Sequence, residues 1–189
     1  FDLVKKVKNL IRTKYNLKKI KVGHAGTLDP LATGLLIICT GKFTKRISEI
    51  QRQAKVYTGE ITLGGTTPSY DLETEIDTRH ETSHITKKLI QDTVLNFTGE
   101  IDQKPPIFSA LKRGGERLYE KARRGEKIKI EARKINIHSF GITAIEMPII
   151  SFEIMCGKGT YIRSIAHDFG IARDLSLIPP SRRRRTPPR

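Results

Sequence analysis

Residues 21–38, Lys-Val-Gly-His-Ala-Gly-Thr-Leu-Asp-Pro-Leu-Ala-Thr-Gly-Leu-Leu-Ile-Ile, constrain this chain more than any other stretch. They have two halves. Gly23 to Pro30 reads as a loop, in which Gly23 and Gly26 permit close approaches that a Cβ would block. Gly34 to Cys39 is a short apolar run, extended to Thr40 as a buried core strand. Asp29 lies between the halves, and Pro30 holds it to an extended backbone. A carboxylate on a stiff loop anchored in the core is well placed to present one reactive group. Taken alone, Leu-Asp-Pro is an ordinary turn former, with Asp29 capping a neighbouring amide.

The rest of the chain alternates helix and strand patterns. Residues 1–14 set Leu3, Val4, Val7, Leu10 and Ile11 on one helical face, with Lys5, Lys6, Lys8 and Arg12 outside. Phe43–Arg52 predicts a helix, Val56–Leu63 a strand, Gly64–Asp71 a loop and Thr86–Phe97 an amphipathic helix. Lys127–Ile137 and Ile149–Cys156 alternate as strands. A last helix follows Gly157-Lys-Gly-Thr-Tyr-Ile-Arg163, with Ile162, Ile165, Ala166 and Phe169 inward and Arg163 at the edge of that stripe. The end, Pro179–Arg189, is low-complexity and expected to be disordered.

The formal charge of +15, from 35 basic and 20 acidic residues, points to a polyanionic partner, nucleic acid first. The densest basic segment is Lys104–Lys127, with eight basic and three acidic residues and Ile107, Phe108, Leu111, Leu118 and Tyr119 between them. It reads either as a solvated helix-loop or as a flap closing on nucleic acid. Cys39 and Cys156 sit in separate apolar runs, which argues against a disulfide scaffold or a cysteine zinc site. No apolar run reaches the length of a membrane span. His80-Glu-Thr-Ser-His84 satisfies the zinc-protease pattern, but its surroundings are polar and turn-like, without the helix that chemistry needs.

The run Gly23–Gly34 closely resembles the catalytic motif of the TruB family of tRNA pseudouridine synthases. Gly159-Thr-Tyr-Ile-Arg163 resembles a second family motif, and Pro105–Gly125 a segment associated with gripping tRNA. The resemblance covers roughly residues 1–174, as one catalytic domain carrying the basic insertion at about 104–127, with 175–189 as tail. It implies an α+β fold, a mixed and mostly antiparallel sheet flanked by helices. Family members begin with a Lys-Pro-x-Gly-x-Thr-Ser-type segment expected to precede Phe1. Asp29 would be the essential carboxylate, paired with Arg163. Tyr57 would stack on the base, with His24, Asp71 and Tyr161 near the extruded nucleotide. Lys112, Arg113 and Arg124 would bind tRNA.

The chemistry implied is rearrangement of uridine to pseudouridine: the N-glycosidic bond breaks, the base turns, and C5 joins C1′. There is no redox change, so neither cofactor nor metal is expected. The base must leave its stack, at a cost of a few kcal/mol. An ionised carboxylate buried against a base is disfavoured by desolvation, and a fixed guanidinium would offset that. The expected partner is the tRNA T-arm, at the T-loop uridine of position 55, and the setting a cytoplasmic monomer without membrane attachment. A non-catalytic tRNA-binding or folding module, and a guide-RNA-dependent enzyme of the dyskerin type, remain alternatives.

Overall fold

A computed structural model describes residues 2–109, 111–126, 128–172, 177–178 and 183–186, with side chains except at 112–113, 177–178 and 183–186. In chain order the helices are α1 (Asp2–Lys14), α2 (Ile47–Arg52), α3 (Lys87–Val94), α4 (Leu118–Arg123) and α5 (Ile162–Ile171). The strands are β1 (Val22–His24), β2 (Ala32–Gly34), β3 (Ile38–Thr40), β4 (Lys55–Leu63), β5 (Gly65–Thr66), β6 (Thr78–Arg79) and β7 (Gly99–Gln103). They continue with β8 (Lys112–Arg113), β9 (Glu116–Arg117), β10 (Arg133–Glu146), β11 (Ile149–Cys156), β12 (Leu177–Ile178) and β13 (Arg183–Thr186).

The central sheet runs β2-β13-β4-β11-β10-β7, with β12 also on β4. Every pairing in it is antiparallel except β2 with β13, which is parallel. The architecture is therefore α+β with a mostly antiparallel sheet, as expected. In β11 the alternation is regular, and Ile150, Phe152, Ile154 and Cys156 all face the core. In β10 a bulge between Ile137 and Ser139 shifts the phase, so Ile137 and Phe140 both point inward although three residues apart. Helices α3 and α5 cover this face with Ile90, Val94, Ile162, Ile165, Ala166 and Phe169. Phe97, Phe140, Phe152 and Phe169 meet edge-to-face at centroid distances of 5.6 to 6.3 Å.

Several boundaries differ from the sequence reading. The run after Gly34 is not one core strand. Gly34 takes a positive φ of 126°, which ends β2, and only Ile38–Thr40 is extended, paired with β1 in a separate two-stranded sheet. Ala25 and Cys39 are its buried anchors, while Leu35 is exposed. A Cβ at Gly23 would meet Ile47 Cδ1 at 2.7 Å, so a larger residue there would push the end of that side chain aside. Of the strand expected from Lys127, residue 127 lies outside the described residues, and β10 starts at Arg133 because its partner β7 runs out at Gln103, opposite Arg133. Residues 43–52 split into a 3-10 turn, Gly41–Arg46, and α2, with Phe43 left exposed. On α1 Val4, Val7 and Ile11 are half-buried, but Leu3 and Leu10 face out.

The tail expected to be disordered contains β12 and β13, which pair with an edge of β4 that β11 leaves open. Residues 179–182 and 187–189 of that expectation lie outside the described residues. His80–His84 forms no helix, since α3 begins only at Lys87. Among the described residues no cluster of His, Cys, Asp or Glu could hold a metal ion.

Candidate active site

Asp29 enters the site from the turn after β1, where its carbonyl accepts the amide of Ala32 at 2.9 Å and reverses the chain around Pro30. Arg163 enters from the first turn of α5. Nη2 of Arg163 donates to Asp29 Oδ1 at 3.3 Å, bridging 134 residues of sequence. Asp29 is about one-third exposed and Arg163 only 5 %. One carboxylate thus faces solvent while the cation behind it does not.

Arg163 is held on four acceptors. Nη2 also donates to the Phe108 carbonyl at 2.9 Å, and Nη1 to the Ser69 carbonyl at 3.2 Å and to Asp71 Oδ2 at 3.1 Å. The sequence placed Arg163 at the edge of the helix stripe; the fold buries it because the 69–71 turn and residue 108 supply the partners a buried guanidinium requires. Asp71 is itself fixed. Its Oδ1 accepts the amide of Glu73 at 3.0 Å, and its carbonyl accepts hydroxyls from Thr67 and Ser69.

Two cavities meet at Asp29. The smaller, about 200 Å³, is lined by Asp29, Tyr57, Tyr161 and Arg163 with Thr27, Leu28, Ala32, Thr33, Ser109, Thr160 and Ile162. The larger, about 520 Å³, opens on the other side between α1 and α4, with His24, Leu36, Phe108, Arg117, Tyr119 and Arg123 in its wall. Arg117 and Arg123 lie over the Tyr119 ring at 5.8 and 5.5 Å, a cationic and aromatic surface beside the carboxylate.

Of the residues singled out from the sequence, Asp29, Arg163, Tyr57 and Tyr161 come together around the smaller cavity. His24 lines only the larger one, and its Nδ1 donates to the carbonyl of Gly26 in its own loop. Asp71 lines neither cavity; it is buried behind Arg163. Arg124 is exposed, tied to Glu116 and Glu126 at 2.5 and 2.7 Å, and away from both cavities. Lys112 and Arg113 form β8, and their side chains lie outside the described residues. Arg117 and Arg123 of the same segment were missed. The four-residue spacing of Tyr119 and Arg123, which puts both on one helical face, was the available signal.

Beneath the site, the Tyr70 ring stacks on His167 at 3.6 Å between centroids. Burial pushes the Tyr70 phenol up and the His167 imidazole down. Burial also raises the Asp168 carboxyl to about 6, against the opposing pull of Lys104.

The chain resembles known proteins over most of its length. A family model described as TruB family pseudouridylate synthase, N-terminal domain, matches residues 12–162. A Flavobacterium johnsoniae protein named tRNA pseudouridine synthase B is 65% identical over 173 residues, covering 91% of this chain and 76% of the relative. Its namesake from Parabacteroides distasonis is 49% identical over 172 residues, covering 91% and 73%. Among solved structures, a chain of a Cbf5-Nop10-Gar1 complex superposes with a TM-score of 0.66 at 26% identity, over 96% of this chain and 44% of that one. A chain of an H/ACA RNP bound to a substrate RNA containing 2'-deoxyuridine gives 0.63 at 24%, over 96% and 42%, a likeness of fold alone.

Proposed function

The chain belongs to the TruB family of pseudouridylate synthases, and on that premise we infer that it isomerises uridine to pseudouridine in tRNA with Asp29 as the catalytic carboxylate. The observation that carries the assignment is the Asp29–Arg163 pair at the junction of the two cavities. The flipped uridine occupies the smaller cavity, between Asp29 and the tyrosines. The larger cavity receives the adjoining RNA, with Arg117 and Arg123 in the wall that faces its phosphates.

Isomerisation needs a group that assists departure of N1 from C1′ and keeps the ribose and base together while the ring turns. An ionised carboxylate does this either by bonding covalently to substrate or by stabilising positive charge on the sugar. Arg163 holds Asp29 aimed, since its guanidinium is itself held by Asp71 and two carbonyls. The aromatic face of Tyr57 replaces part of the stacking lost on extrusion, and its hydroxyl can assist removal of the C5 proton. In balance, N1 gains a proton and C5 loses one, so the cycle consumes no water and changes no oxidation state.

The T-loop uridine at position 55, presented by the T-arm, is the substrate we assign, acted on by a cytoplasmic monomer. Identity of 65% to a tRNA enzyme, against 26% to the Cbf5 chain, favours this over the guide-RNA-dependent alternative. Among the described residues no helix is long and apolar enough to cross a membrane.

The test is Asp29→Asn, assayed for tritium release from 5-labelled uridine in a T-arm stem-loop. Wild type is expected to release tritium and the variant to fall to background while binding RNA as before. An active variant would remove Asp29 from the chemistry. Wild type that binds RNA but releases no tritium would support the non-catalytic binding module.

A further inference from the structure

Gln103 is fully buried at the end of β7, yet it is not part of the sheet's apolar core. Its side-chain amide closes a pair of hydrogen bonds with the backbone of Tyr161. Nε2 donates to the Tyr161 carbonyl at 3.0 Å, and the Tyr161 amide donates to Oε1 at 2.8 Å. The amide stands in for one residue of a neighbouring strand. Tyr161 is the N-cap of α5, and its own side chain makes no cap hydrogen bond. The start of this helix is therefore fixed by a residue from another strand.

The attachment is reinforced nearby. Ser164 Oγ donates to the Lys104 carbonyl at 2.7 Å, and Arg163 Nη2 reaches the Phe108 carbonyl. On the other side Arg133 donates to the Gly159 carbonyl at 2.6 Å and lies over the Tyr161 ring at 5.0 Å. The segment 103–108 thus holds the first turn of α5, from which Tyr161 and Arg163 reach the smaller cavity. An error of about 1 Å in that turn would carry both side chains with it, and misplacement of this size costs about a hundredfold in rate.

We propose that Gln103 is a positioning residue for the reaction: its two hydrogen bonds to the Tyr161 backbone set the register of α5 against β7 and so hold Arg163 on Asp29. The proposal rests on the function assigned above. It concerns the rate of the chemical step, not RNA affinity, because Gln103 lines neither cavity.

Gln103→Glu and Gln103→Met test it in the full chain, by single-turnover pseudouridine formation at saturating enzyme, RNA affinity, and melting temperature. In Gln103→Glu an ionised carboxylate opposes the Tyr161 carbonyl. Once protonated, its hydroxyl donates to that carbonyl while the other oxygen accepts the amide, restoring the pair. At pH 8 Gln103→Met should be slowed ten- to a hundredfold with RNA affinity within threefold of wild type, and Gln103→Glu by less, because a fully buried carboxyl holds its proton more tightly than a free one. Towards pH 5.5 the deficit of Gln103→Glu relative to wild type should shrink, and that of Gln103→Met should not. A wild-type rate in folded Gln103→Met, or rate and affinity falling together, or failure of both variants to fold, would overturn the positioning role. An inactive wild type would instead count against the assigned function.

Discussion

The carboxylate of Asp71 lies 3.1 Å from Nη1 of Arg163, both side chains buried, and so occupies one arm of the guanidinium whose other arm faces Asp29. Both terminal nitrogens of this buried cation are taken up, each by one carboxylate and one carbonyl, while Nε is buried without a hydrogen-bond partner among the described residues. Arg163 therefore presents Nη2 to Asp29 at a fixed place, and the more exposed carboxylate is oriented by the less exposed one.

Removing Asp71 should uncover this dependence. Asp71→Ala leaves Arg163 buried with half its charge compensation gone, which costs about 3 to 5 kcal/mol. The urea midpoint should fall accordingly, and residual pseudouridine formation measured under native conditions should be slowed as well. An unchanged midpoint would mean that the pair contributes nothing to the fold.

Arg163→Lys retains the charge but offers one compact ammonium to four acceptors. The expected result is RNA affinity within about threefold of wild type and a rate reduced about a hundredfold, the size of effect that misplaced groups produce. Single-turnover assays with saturating enzyme separate the two, and a wild-type rate would show that the planar four-acceptor geometry is unnecessary.

Phosphate contacts should dominate binding, so affinity for tRNA should fall steeply with salt. Arg117→Ala with Arg123→Ala should lower the slope of log affinity against log salt by about 2, since both line the larger cavity. Arg124→Ala should change it by less than about 1, because Arg124 is already engaged by Glu116 and Glu126. Equal effects in a filter-binding series would remove the distinction.

Asp168 sets a pH dependence of stability. Burial raises its carboxyl from the ordinary 3.8 to about 6, so the folded state holds the proton more tightly than the unfolded chain. Its contribution is most favourable below about pH 4, declines as pH rises through about 6, and is flat above. Asp168→Asn should thus raise the melting temperature at pH 7.5 and change it little at pH 4. His167 titrates in both proteins, so the difference between the two curves isolates Asp168.

How much of this was legible beforehand follows from the range of the forces involved. The buried stripe of α5, Ile162, Ile165, Ala166 and Phe169, and the alternation of β11 follow from the local geometry of helix and strand. The backbone of Asp29 was legible, because Pro30 restricts it to an extended conformation, but its part in the chemistry came only from the resemblance of the run Gly23–Gly34 to the family motif. Asp71 was legible only as a loop carboxylate, since nothing near it in the chain names its partner, 92 residues away. Likewise the run 127–132 alternates as a strand, but a strand needs a neighbour, and β7 ends opposite Arg133.

Local periodicity and backbone restriction therefore determined which segments are helices or strands and that Asp29 lies on a stiff loop, while the role proposed for its carboxylate came from the family resemblance. Tertiary packing decided where strands end, that Arg163 is buried and not at an edge, and that Gln103 and Asp71 hold it to Asp29. The physical reason is that a helix or a turn satisfies its own hydrogen bonds within a few residues. A buried charge or amide must find partners wherever the fold brings them, at separations that no local pattern encodes.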